Sequence, residues 1–182
     1  MSESRTEPAT IAAVNALDRA QFRATFGHVL EDSPALADAA WSQRPFADRA
    51  ALADAFARAV ESLDDDDALE LLRAHPELGS RGPMAAASVS EQASAGLDRA
   101  TDNGHGDEDG DDVMERLRRD NVAYRERFGF PFILAVRGRT ADEIAANLEQ
   151  RLGHEPATER SEALRQVCQI AVLRVEQMVA AP

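Results

Sequence analysis

The chain predicts an all-α fold, a single-domain bundle of roughly eight helices. Three observations carry this. Alanine, leucine, arginine and glutamate abound, and all are strong helix formers. Aromatic residues make up only 5% of the 182 residues and runs of β-branched residues are short, which argues against a large sheet. Apolar residues recur at three- and four-residue steps along most of the length. With 44% hydrophobic residues the chain can bury a normal core.

The elements follow in order. Residues 1–8 are polar and read as a disordered arm, so the folded domain is expected over 9–182. Ile11, Val14 and Leu17 mark a short first helix, and Phe22, Phe26 and Leu30 continue at helical spacing. Ser33-Pro34 reads as an N-cap followed by a first-turn proline, opening a helix through Trp41. Arg44-Pro45-Phe46 interrupts the chain. Leu52, Phe56, Val60 and Leu63 then form one amphipathic face. Asp64 to Asp67 cap the next helix, which buries Leu69 and Leu72 and which Pro76 stops. After a loop from Gly79 to Pro83, Ser88 opens a helix to about Leu97. The acidic stretch 101–112 reads as a solvated loop insertion, exposed and mobile. As a calcium loop it fails, because fixing Gly110 as the obligate glycine puts His105 and Arg116 at ligand positions. A helix follows from Val113 to Phe128, then the apolar irregular stretch Phe128 to Val136. Thr140 and Glu143 predict a capping box for a helix to Leu152. A last helix begins near Thr158, with the stripe Leu164, Val167, Cys168, Ala171, Val175 and Met178.

A net charge of −13 opposes binding to nucleic acid or to an anionic membrane. The chain has no lysine; every basic side chain is arginine. Excess acid without lysine keeps a protein hydrated in strong salt, while GC-rich coding produces the same arginine and alanine bias, so both explanations stay open. Cys168 has no partner for an intrachain disulfide and reads as a small core residue. The polar start lacks an apolar signal region, and no run of about 18 apolar residues offers a membrane span. A reducing cytoplasm is the expected location.

The chemistry-bearing residues are few. Ala74-His75-Pro76-Glu77-Leu78-Gly79 puts an imidazole at a rigid helix end. Ser88-Val89-Ser90-Glu91-Gln92 sets a carboxylate beside an amide. Ser88 and Glu91 also fit a reciprocal capping box, and the two roles are compatible, since a helix N-terminus favours an anionic ligand. Arg174 lies on the apolar stripe of the last helix, where a guanidinium is costly unless paired. It is either a structural salt bridge or a bidentate clamp for a carboxylate or urea-like ligand. His28, His105 and His154 stand among polar residues as solvated side chains, and no His-x-x-x-His or Cys-x-x-Cys pair suggests a metal site.

Taken in order, these segments resemble 2-oxo-4-hydroxy-4-carboxy-5-ureidoimidazoline (OHCU) decarboxylase. The matching text is Glu31-Asp32-Ser33-Pro34, Arg44-Pro45-Phe46, the His75 and Ser88 motifs, and Ala95-Gly96-Leu97-Asp98. It continues with Asn121 through Tyr124, Phe128-Gly129-Phe130-Pro131-Phe132 and Ile170-Ala171-Val172-Leu173-Arg174. Two features depart from the family: Ala35 follows Ser33-Pro34 where a tryptophan is common, and the acidic segment around Asn103 to Asp111 looks inserted.

The resemblance implies a homodimer that decarboxylates its substrate to (S)-allantoin in urate degradation without metal or organic cofactor. It implies His75 and Glu91 as catalytic residues. Pro76, Ser88, Gln92 and Arg174 are the implied substrate-binding residues, with backbone groups of Phe132, Ile133, Leu134 and Ala135. The substrate's carboxylate and hydroxyl share one ring carbon next to an imine, which can take up the electrons released with carbon dioxide. The protein then has to hold the carboxylate out of the ring plane and deliver a proton to one face. An imidazole suits that task, because its ordinary pKa lies near neutrality. A non-enzymatic helical interaction module is the rival reading; in it Ser88 and Glu91 are only a cap and Arg174 only a salt bridge.

Overall fold

The computed structural model describes residues 8–31, 33–78, 93 and 108–181. Among these residues lie eight helices: α1 (Ile11–Ala16), α2 (Arg19–Phe26), α3 (Pro34–Trp41), α4 (Arg49–Glu61), α5 (Asp65–Ala74), α6 (Glu108–Phe128), α7 (Ala141–Leu152) and α8 (Pro156–Met178). The only extended pairing among them is an isolated bridge between Ala9 and Val179. The helical reading therefore holds. The chain divides into two compact units, residues 1–64 with 168–182, and residues 65–167.

The first unit holds α1 to α4 and the end of α8. Its core is aromatic. Phe22 and Phe26 lie one turn apart on α2 with ring centroids 4.7 Å apart, and Phe56 of α4 stacks on Phe22 at 6.3 Å. Full burial of each ring stabilises the fold by roughly 1.5–3 kcal/mol. Caps fix where helices start: Thr10, Asp18 and Asp48 each accept a hydrogen bond from the first turn that follows. Pro34 opens α3 as expected, but the Ser33 hydroxyl makes no capping bond, so proline's fixed φ does the work there. Arg44 is held by the carbonyls of Asn15 and Leu17 and lies 3.9 Å over the Trp41 ring. The Asn15 amide bonds both the N–H and the carbonyl of Phe46, each at 2.8 Å.

The second unit holds α5, α6, α7 and the start of α8. Aspartates 65 to 67 sit in the first turn of α5, where the helix dipole favours negative charge. α6 begins at Glu108, five residues earlier than Val113, so the end of the acidic stretch is helix rather than loop. The rest of the stretch, and the expected Ser88 helix apart from Ala93, lie outside the described residues. The capping box of α7 is present, with Thr140 and Glu143 bonded reciprocally. The motif Phe128 to Phe132 is explained by packing: Phe128, Phe130 and Phe132 surround the Tyr124 ring at 4.7, 5.8 and 5.4 Å. Gly129 makes the turn between them at φ +77°, a backbone conformation that a side chain would strain.

Candidate active site

His75 directly follows α5, with only 6% of its surface exposed. Its Nδ1 lies 3.1 Å from the carbonyl oxygen of Leu71, one turn back on the same helix. A carbonyl can only accept, so Nδ1 carries a hydrogen and in the neutral ring Nε2 carries the lone pair. The chain on both sides of the histidine is tied to α6 and its C-terminal end. Asn121 donates to the Leu78 carbonyl at 3.0 Å, Arg125 pairs with Glu77 at 3.2 Å, and Arg73 donates to the Gly129 carbonyl at 3.2 Å. Positions 121, 125 and 129 succeed one another by one helical turn, so one face of α6 and its end hold the strand of chain that presents His75 and Pro76. Asn121 is buried, and its Oδ1 has no hydrogen-bond partner among the described residues.

The second expected element, Phe132 to Ala135, is buried throughout and lies in the same unit as His75. Part of its backbone is engaged by side chains of this unit. Arg151 donates to the Ile133 carbonyl at 2.8 Å, the Ala135 N–H donates to Gln166 at 3.0 Å, and Arg139 donates to the Ala135 carbonyl at 3.2 Å. Arg151 is 2% exposed and its charge is balanced by Glu159, which is fully buried. Glu159 also accepts from the Tyr124 hydroxyl and from Nδ1 of His154 at 2.7 Å. His154 is thus no solitary solvated side chain: it bonds a buried carboxylate. Burial, reinforced by the bond to Glu159, pushes the Tyr124 phenol far above its ordinary range.

Arg174 lies in the other unit and is 3% exposed. Its guanidinium pairs with Glu31 at 2.8 Å and donates to the carbonyls of His28 and Val29 at 3.3 and 3.2 Å. Glu31 sits at φ +36°. Of the two readings of Arg174, the structural salt bridge is present, and any contact with a ligand is additional to it. Ser88, Glu91 and Gln92 lie outside the described residues. His28 is exposed, as expected. Cys168 is half-buried rather than part of the buried core, and its thiol is pushed up by burial and by the nearby Glu61, which leaves it a poor nucleophile. Among the described residues no group of His, Cys, Asp or Glu is arranged to hold a metal, and no helix is long and apolar enough to cross a membrane.

Sequence reasoning missed Arg151, Glu159 and Gln166. A signal existed for the first: Ile144, Leu148 and Arg151 fall on one face of α7, so a charge stands on an apolar stripe. That same signal had singled out Arg174.

Similarity to known proteins points one way. The family model described as OHCU decarboxylase matches residues 15–176. The 2-oxo-4-hydroxy-4-carboxy-5-ureidoimidazoline decarboxylase of Haloferax volcanii is 44% identical over 166 residues, covering 91% of this chain and 94% of that protein. The protein of the same name from Mus musculus is 37% identical over 172 residues, 92% of each. A crystal structure of (S)-allantoin synthase matches with a TM-score of 0.74 at 29% identity over 95% of this chain, which spans 54% of the length of that one. A crystal structure of OHCU decarboxylase in the presence of (S)-allantoin matches with a TM-score of 0.62 at 26% identity, covering 81% of this chain and 92% of that one.

Proposed function

This chain belongs to the OHCU decarboxylase family, and we propose that it converts 2-oxo-4-hydroxy-4-carboxy-5-ureidoimidazoline to (S)-allantoin in urate degradation, with His75 and Glu91 handling the protons. The observation that carries this reading is the family match over nearly the whole chain, with a buried His75 whose tautomer is set by a backbone carbonyl. Carbon dioxide leaves with its carboxylate electrons directed into the neighbouring imine. The former imine nitrogen takes up one proton, the resulting enol-like carbon takes up a second, the hydroxyl gives one up as it becomes a carbonyl, and the sum consumes a single proton. No external electron sink is needed for that balance.

In this reading Nε2 of His75, which carries the lone pair in the neutral ring, first takes up a proton and then delivers it to the carbon, and Glu91 hydrogen-bonds the substrate hydroxyl or orients the ring. Pro76, Ser88, Gln92 and Arg174 hold the ligand, with the backbone of Phe132 to Ala135 against it. Arg174 acts there with Glu31 beside it, so its charge is largely compensated and its role is geometric. The working unit is a homodimer in a reducing cytoplasm; the lone Cys168 supports the second point, and light scattering tests the first.

The test follows carbon dioxide release and the handedness of allantoin from freshly generated substrate, with the spontaneous reaction subtracted. The wild-type chain accelerates the reaction and yields one enantiomer. His75→Ala and Glu91→Ala keep the fold and lose activity about a hundredfold or more. Near wild-type turnover in either purified variant removes that residue from the mechanism. Racemic product at the spontaneous rate from the wild-type chain removes the activity itself.

A further inference from the structure

We propose that Arg151 and Gln166 are positioning residues for the substrate, acting through the backbone of Phe132 to Ala135. The inference rests on the reading that this stretch meets the ligand, and it adds what sets the stretch in place. The segment has no helix or sheet to order its peptide groups. Two buried side chains do so instead. The Arg151 guanidinium is planar, so fixing two of its nitrogens fixes the third. Nε and Nη2 are committed to Glu159, and Nη1 is thereby aimed at the Ile133 carbonyl, 2.8 Å away. The same plane lies 4.7 Å from the centroid of the Phe132 ring.

Gln166 is oriented by an equally one-sided constraint. Its Nε2 donates to Glu162 at 2.8 Å, and an ionised carboxylate can only accept. That forbids the flipped amide and turns Oε1 toward the Ala135 N–H, 3.0 Å away. Glu162 is itself clamped by Arg165 through two bonds of 2.8 and 2.7 Å. Two chains of polar contacts, each ending on a partner that cannot reverse its role, thus set the peptide groups of residues 133 and 135 on either side of Leu134. The Ile133 carbonyl and the Ala135 N–H are engaged by this clamp, which makes it distinct from the ligand contacts it supports.

The experiment measures kcat and KM for Arg151→Lys and Gln166→Leu, with the melting temperature and the pH profile of kcat alongside. Lysine keeps a charge for Glu159 but lacks the planar fork; leucine removes the acceptor for Ala135 and leaves no buried charge unpaired. We expect each variant to raise KM tenfold or more while kcat stays within about threefold and its pH profile, set by His75, is unmoved. A folded Gln166→Leu or Arg151→Lys with KM within twofold of wild type overturns the proposal. If Arg151→Lys does not fold, Gln166→Leu decides by the same criterion. A wild-type chain with no catalysed turnover sinks the parent reading and this one with it; turnover with unchanged KM in the variants sinks this one alone.

Discussion

Glu159→Gln is the substitution with the largest expected effect on the fold. The carboxylate has no exposed surface and receives Arg151, Tyr124 and His154 together. The amide keeps the size but loses the charge, and one acceptor atom becomes a donor that faces other donors. Arg151 is then a buried cation without its counter-charge, a change that costs about 3–5 kcal/mol. At about 2.1 cal/mol/K per residue, the 182-residue chain has an unfolding entropy near 0.4 kcal/mol/K, so the melting temperature falls by about 8–13 °C. Calorimetry at neutral pH reads this directly. The double variant Arg151→Met, Glu159→Met removes both charges and leaves the Tyr124 hydroxyl and the Ile133 carbonyl without their partners, so it recovers part of the loss. A fall of under about 2 °C for Glu159→Gln, or a double variant no more stable than the worse single one, refutes the view that this pair is tightly coupled.

Three further outcomes follow from the same geometry. The Arg165 guanidinium bonded to Glu162 holds that carboxyl down at about 2 from 4.5. Because the folded value is the lower one, the contact stabilises the fold above pH 4.5 and the benefit is lost as pH falls through about 2. Arg165 is 63% exposed, so screening limits the effect to about 1 kcal/mol, readable as a smaller acid-induced loss of stability in Glu162→Gln by urea titration. Gly129→Ala has nothing nearer its new methyl than Arg73 at 3.8 Å, so its cost is the backbone strain at φ +77°, about 1–2 kcal/mol by denaturant unfolding. Asn121→Ala loses the bond to Leu78 and, because its own Oδ1 was unsatisfied, costs only about 1 kcal/mol; it lowers kcat through a looser His75 segment, and unchanged kcat would separate Asn121 from the site.

Helix ends were legible wherever a residue has a local mechanism. Pro34 opens α3 and the Thr140–Glu143 pair opens α7, as their chemistry requires. The start of α6 was not, because a run of acids with Gly110 reads equally as a solvated loop and as a dipole-favoured first turn. His75 and Arg174 stood out from spacing and from a charge on an apolar stripe. Their partners did not. The pairing of Arg174 with Glu31 crosses 143 positions, and Arg151, Glu159 and Tyr124 meet from three helices. Periodicity reports a neighbour one turn away and is silent about a neighbour on another helix. Gln166 was hidden more completely, since an amide on a helix interior carries no local oddity.

The hydrogen bond from His75 to Leu71 is a contact within a single turn of chain. A preference for hydrogen on Nδ1 is therefore set at short range, by the last turn of α5. Substitutions elsewhere can move the imidazole or starve it of substrate, yet the Leu71 carbonyl one turn back still favours a hydrogen on Nδ1. Nitrogen-15 spectra of a folded but inactive variant should still show that same tautomer.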